Sequence, residues 1–396
     1  MLTAAGVPPP SADEAAQSAR VAAALRERLA ASGGWMPFSA FMETALYEPG
    51  LGYYMTDRPL FGGEGDYVTA PGLSPLFAAC VANGLADLLE KTGGGDVLEY
   101  GAGDGRFAQV AFGALLARRA PVGRYRIVER SPALAARQRR RLAGDPATAG
   151  FMERFEWLDA PPRERWQGIA VANEVVDALP VERFRVTPEG VEMLGIVAAT
   201  EGFAWEARPA EAALAAGVEA VRRALPHDMA SGFVSELRAR DAAWLADTAA
   251  TLERGAILLV DYGLPRAQYY HPSRAGGSLC AFRRHRRVED VLADPGIQDL
   301  TAWVDFTGLA EAGAAAGLTV GGFTTQAHYL IATGVERELA RLSAGRPERA
   351  QLALRQSAAT LMLPGEMGER FKALALIRGI HGPLAGFGGR DLSESL

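Results

Sequence analysis

The segment Val97-Leu-Glu-Tyr-Gly-Ala-Gly-Asp-Gly105 sets glycines at positions 101, 103 and 105 directly behind a short apolar run. Glycine in such places lets a strand turn sharply into a helix and leaves bare peptide N–H groups against which a ligand can lie. A dinucleotide needs G-x-G-x-x-G, so that its pyrophosphate reaches the helix N-terminus. Here the spacing of Gly101, Gly103 and Gly105 is G-x-G-x-G, with Glu99 two residues ahead of the first glycine. That pattern speaks against an NAD-linked oxidoreductase. It suits S-adenosyl-L-methionine (SAM), which carries no phosphate but has an amino acid tail, a sulfonium and a ribose. Glu129 closes the next apolar run, in Ile127-Val-Glu-Arg-Ser131, where a carboxylate accepts from both ribose hydroxyls. Asp159, just past a third run, reads equally as an acceptor for the adenine amino group or as a turn or cap residue.

A fourth run leads into Asn173-Glu-Val-Val-Asp177-Ala-Leu-Pro180. Ligands of open α/β sheets bind beyond the carboxyl ends of the strands, so Asn173, Glu174 and Asp177 are expected to face the same crevice as the glycines. Two carboxylates have a use there if the methyl acceptor is a guanidinium. That group stays protonated, pairs bidentately with carboxylate, and must be fixed with one nitrogen in line with the methyl. For either acid the alternative is a capping carboxylate in a turn that Pro180 ends. Tyr53, Tyr54, Asp66, Asp261 and Asp305 form a second line of candidates for an acceptor cleft. SAM brings its own leaving group, so the protein need supply only placed charge and alignment, the latter worth up to ~7–11 kcal/mol. Neither a metal nor a covalent nucleophile is required.

The elements that must hold these residues read as a doubly wound α/β sheet. Apolar runs at Val97–Tyr100, Tyr125–Val128, Phe155–Leu158, Ile169–Ala172 and Ala256–Val260 alternate with helical patterns. Val181 to Arg208 reads as a β-meander, a second insertion follows Gly263, and Phe371–Ile377 is placed as an edge strand. The expected organisation is an N-terminal helical and loop region covering the cleft (1–94), a Rossmann-like core begun at 95–180, an inserted meander with helices (181–254), a core strand (255–264), a second insertion (265–305) and a C-terminal completion of the core with helices (306–396). Loops such as Glu48–Tyr54 and Gly62–Pro71, rich in glycine and aromatics, read as binding surfaces.

Composition narrows the functional classes. A net charge of -6 over 396 residues gives no field that gathers phosphate, so nucleic acid is a poor substrate. The run Arg283-Arg-His-Arg-Arg287 is taken as a solvated face. Cys80 and Cys280 lack metal or redox spacing and read as buried hydrophobes, and the five histidines show no ligand pairing, so no metal is expected. No apolar run reaches membrane-span length, and the N-terminal residues lack the marks of a signal or transit peptide, so the expected compartment is the cytoplasm.

Several longer motifs in order carry a resemblance. Tyr47-Glu-Pro-Gly-Leu-Gly-Tyr-Tyr54, Gly65-Asp-Tyr-Val-Thr-Ala-Pro71, Asn173–Pro180, Val260-Asp-Tyr-Gly263, Asp299–Phe306 and Met367-Gly-Glu-Arg-Phe371 resemble the signatures of the MidA family of SAM-dependent methyltransferases, which includes a mitochondrial complex I assembly factor. The likeness runs through nearly the whole chain after about residue 20. It implies a class I methyltransferase fold with a second lobe, SAM as cofactor with S-adenosyl-L-homocysteine as product, and arginine methylation of a partner protein such as a respiratory complex I subunit. Methylation of a small molecule and a SAM-binding but non-catalytic assembly factor are the alternatives. Two departures stand out. Gly72 and Leu73 replace the family's usual Glu-Ile, and Ala78-Ala79 stand where a further glutamate is frequent, so the acceptor is less firmly implied than the cofactor.

Overall fold

The computed structural model describes residues 7–58, 60 and 69–396, grouped in two compact units. One unit comprises Val68–Val176, Ala242–Leu264 and Phe306–Leu396. Its sheet is built from β1 (Gly95–Tyr100), β2 (Val122–Val128), β3 (Phe155–Leu158), β4 (Trp166–Asn173), β5 (Leu252–Leu264), β6 (Thr319–Thr325) and β7 (Phe371–Arg378). These lie in the order β6-β7-β5-β4-β1-β2-β3. Neighbours from β5 to β3 are parallel, whereas β7 runs antiparallel to both β5 and β6. The chain winds outward from β1 in one direction to β3 and in the other to β5. The crevice between β1 and β4 is therefore the switch point at which such sheets bind ligands.

The physical basis is plain in β5, where Ala256 to Val260 are each at most 1% exposed. A parallel strand covered on both faces needs a continuous apolar run in place of alternation. The same logic corrects the placement of Phe371–Ile377. Its run is buried on both faces, so β7 lies inside the sheet, and the outer place falls to β6, whose Thr319 and Val320 are exposed. Helix α1 (Pro75–Thr92) starts at Ser74, whose hydroxyl accepts the Leu76 N–H, and ends on Gly93 at φ 84°. It is buried nearly all round, which takes in Cys80 together with Ala78 and Ala79. Helices α2 (Arg106–Ala117) and α3 (Pro132–Ala143) follow β1 and β2.

The other unit comprises Met1–Tyr67, Asp177–Asp241 and Pro265–Asp305. Its helix Ala12–Ala31 opens with a full capping box between Ser11 and Glu14. The predicted meander is present as antiparallel strands Glu182–Thr187, Gly190–Ala198 and Phe203–Pro209, joined by Met36–Pro37 and Val234–Leu237. Val21, Leu25, Phe38, Phe41, Tyr53, Ile196 and Leu300 share its core. The basic run departs from the solvated face expected of it at Arg283, while Arg284 and Arg287 are exposed. Strands Cys280–Arg283 and Arg286–Val288 form a hairpin with Arg284 and His285 at positive φ. Arg283 is buried, donating to Asp294 at 2.9 Å and to the Pro8 carbonyl at 2.5 Å, and Arg284 pairs with Glu14 at 2.6 Å. Among the described residues no helix is long and apolar enough to cross a membrane.

Candidate active site

β1 ends at Tyr100 and α2 begins at Arg106, and all three glycines between them are left-handed, with φ of 62°, 54° and 83° at Gly101, Gly103 and Gly105. The turn is walled closely. A β-carbon on Gly101 would stand 2.6 Å from Val175 Cγ2, and one on Gly105 would stand 3.2 Å from Gln138 Cα. Side chains at Gly101 and Gly105 are thus disfavoured by both backbone conformation and space. Asp104 between them is fixed outward, accepting Arg141 at 2.8 Å.

Two carboxylates stand at the ends of β1 and β2. Glu99 is almost wholly buried and accepts the Tyr125 hydroxyl at 2.7 Å. Burial pushes its carboxyl up to about 8 against the pull of that hydrogen bond, and the charges of Glu129 and Asp104 add to the rise. Burial and the facing Glu99 likewise hold the Tyr125 hydroxyl well above its ordinary range. Glu129 lies just beyond β2, its N–H on the Leu158 carbonyl at 2.8 Å. Its Oε1 accepts the Ser131 N–H at 2.8 Å and its Oε2 the Gln138 amide at 2.9 Å. Burial raises this carboxyl too. Asp159 is exposed at the end of β3.

Behind β4 the chain makes an elbow at Glu174, a non-glycine residue with φ 54°. Such a conformation costs an L-residue about 1–2 kcal/mol and persists only where surroundings impose it. The impositions are visible. The Glu174 N–H donates to the Val260 carbonyl at 3.0 Å. Buried Asp261 accepts the Val176 N–H at 3.0 Å and the Tyr262 N–H at 2.9 Å. The Glu174 carboxylate accepts the Asn173 amide and the Ala70 N–H, each at 3.1 Å. Since the Asn173 nitrogen must face that carboxylate, its Oδ1 faces away; this oxygen is buried with no partner among the described residues. Arg106 at the start of α2 then donates to the Gly72 carbonyl at 3.0 Å, so residues 69–73 are tied at both ends.

The predicted residues Glu99, Gly101, Gly103, Gly105, Glu129, Asn173, Glu174 and Asp261 therefore gather at the carboxyl ends of β1, β2, β4 and β5 in one unit. Asp177, Tyr53, Tyr54 and Asp305 belong to the other. There Tyr54 donates to Asp299 at 2.7 Å and stacks on Tyr47, Asp305 pairs with Arg266 at 3.2 Å, and the Asp177 carbonyl accepts the Ala302 N–H at 3.0 Å. Asp66 lies outside the described residues. Sequence reasoning passed over Gln138, Tyr125, Arg106 and Ala70. For Gln138 a signal existed: it breaks the buried stripe Leu134, Leu142 at helical spacing in α3.

Three left-handed glycines, two of them closely walled, acidic side chains on either side of them and a buried acceptor without a partner among the described residues fit SAM. Comparisons with known proteins agree. A family profile of S-adenosyl-L-methionine-dependent methyltransferases matches residues 80–324. The mitochondrial protein arginine methyltransferase NDUFAF7 homolog of Drosophila melanogaster is 28% identical, over 94% of this chain and 88% of its own. The protein arginine methyltransferase NDUFAF7 of Danio rerio is 26% identical, over 87% of this chain and 84% of its own. A crystal structure of a "likely methyl transferase" from Burkholderia thailandensis, bound to S-adenosyl-homocysteine, superposes with a TM-score of 0.92 at 39% identity, covering 99% of this chain and 100% of that one.

Proposed function

Because the chain belongs to the S-adenosyl-L-methionine-dependent methyltransferase family, we propose that its methyl acceptor is an arginine side chain of a partner protein. The observation that carries this reading is the Asn173–Glu174 elbow. It offers a carboxylate and a buried amide oxygen that has no partner among the described residues, acceptors suited to a cation rich in N–H donors. The names of the fly and zebrafish relatives support the same acceptor.

Bound SAM supplies an electrophilic methyl on sulfur and a neutral leaving group. Gly101, Gly103 and Gly105 admit it against bare main chain, and Glu129 accepts from its ribose hydroxyls. Glu99, which accepts from Tyr125, is the proposed partner for another polar end of the cofactor, and Asp159 for the adenine amino group. Glu174 and Asn173 hold the guanidinium. As the new N–C bond forms and the C–S bond breaks, one guanidinium proton leaves through a carboxylate to water. The finer expectations, a complex I subunit as partner and the cytoplasm as compartment, follow from the family resemblance and the N-terminal sequence; the fly and zebrafish relatives are named mitochondrial.

The test is incubation of the protein with methyl-labelled SAM and cell extract, followed by acid hydrolysis of the labelled proteins. Methylarginine is the expected product. Label confined to small molecules, or no transfer under conditions where SAM binds, would overturn the proposal.

A further inference from the structure

We infer that Gln138 is a positioning residue of the cofactor site, setting the Glu129 carboxylate against the glycine turn. The inference rests on the assignment of Glu129 to the ribose. Gln138 is 0% exposed in the middle of α3. Burying an amide is costly unless each polar atom is satisfied, and here all are. Its Nε2 donates to the Gly103 carbonyl and to Glu129 Oε2, both at 2.9 Å, while its Oε1 accepts the Trp157 indole N–H at 3.0 Å. One side chain thus ties together the turn after β1, the carboxylate after β2 and the tryptophan of β3. The indole contact fixes which end of the amide is nitrogen, and hence that both donors point toward the turn and Glu129.

The arrangement has a further consequence. Glu129 reaches Ser131 through one oxygen and Gln138 through the other, so its carboxylate plane is set on both sides. Without Gln138 that plane is free to rotate, and the Gly103 carbonyl loses its donor. The same α3 backbone closes over Gly105, which ties the helix to the turn sterically as well.

Titration of S-adenosylhomocysteine into purified variants by calorimetry reads this directly. Gln138→Leu is expected to weaken binding roughly 10- to 100-fold, the effect of losing a hydrogen bond to a charged group. Gln138→Glu separates positioning from mere packing. Its protonated acid can give its single O–H to Glu129 and accept from Trp157, losing only the bond to Gly103, whereas its ionised form places two carboxylates side by side. Affinity of Gln138→Glu is therefore expected to fall, relative to the wild type, as pH rises and the introduced acid ionises. The other charges facing this group are Glu99 from β1, Asp104 with Arg106 and Arg141, Arg130 beside Glu129, and Arg139 over the Trp157 ring. They are common to both proteins and cancel in the comparison. Wild-type affinity in Gln138→Leu, or parallel pH profiles for Gln138→Glu and wild type, would overturn the inference. Glu129→Ala distinguishes the two failures: if it alone weakens binding, Glu129 keeps its role and Gln138 loses its own; if it binds normally, the ribose assignment itself is wrong.

Discussion

The Oε1 atom of Glu174 accepts the backbone N–H of Ala70 at 3.1 Å across 104 residues of sequence. The same atom accepts the Asn173 amide. A carboxylate proposed to hold the methyl acceptor is thus fixed by two donors before any acceptor arrives, and such pre-placement is what lets a charge act without reorganisation.

Glu174→Ala is accordingly expected to lower kcat by roughly 10²- to 10³-fold, the range found when one pre-placed electrostatic group is removed. Its affinity for S-adenosylhomocysteine should change by less than about threefold, since the residue is assigned to the acceptor. Single-turnover transfer of labelled methyl together with calorimetry measures both. A large loss of affinity with kcat intact would place Glu174 on the cofactor.

Backbone strain at the same position gives a second expectation. Glycine takes the left-handed conformation freely and alanine does not, so Glu174→Gly should be more stable than Glu174→Ala by about 1 kcal/mol. Urea unfolding midpoints of the two variants test it, and equal midpoints would mean that the elbow relaxes once its carboxylate is gone.

The sheet was legible in the sequence because its inner strands are covered on both faces and so appear as unbroken apolar runs. Ala256–Val260 is the clearest example. Phe371–Ile377 was misplaced at an edge although its equally unbroken run marks an inner strand. The glycine turn and the carboxylates at its borders were legible for a related reason, as strand ends and glycine spacing are local. The ties made by Gln138, Ala70 and Arg106 were not, because each joins a side chain to main chain far away, which no local pattern records. The basic run at Arg283 misled in the same way. Its partners, Asp294, Glu14 and the Pro8 carbonyl, are brought to it only by folding.

Glu99 makes stability depend on pH. Burial raises its carboxyl from 4.5 to about 8. Between those values the unfolded chain ionises while the folded protein keeps the proton. The contribution of Glu99 is therefore complete below about pH 4.5 and is lost as pH climbs through about 8. Glu99→Gln stays neutral and can still accept from Tyr125, so its melting temperature should exceed that of the wild type at about pH 8.5 and match it near pH 4.5. An equal difference at both pH values would contradict the assignment.

Gly101 should tolerate no side chain. Gly101→Ala places a β-carbon 2.6 Å from Val175 Cγ2 in a left-handed conformation. A destabilisation of about 1–3 kcal/mol follows from strain and overpacking together. Adding Val175→Ala should recover the steric part and leave the conformational part, which a double-mutant cycle by chemical unfolding resolves. Strict additivity would show that the two residues do not press on each other.

The most direct measurement is a crystal structure of this protein with S-adenosylhomocysteine. The account predicts both ribose hydroxyls within about 3 Å of the Glu129 carboxylate, and the amino acid tail lying against the main chain of Gly101 to Gly105. A ligand bound elsewhere, or a ribose held by other groups while Glu129 keeps only Ser131 and Gln138, would contradict it.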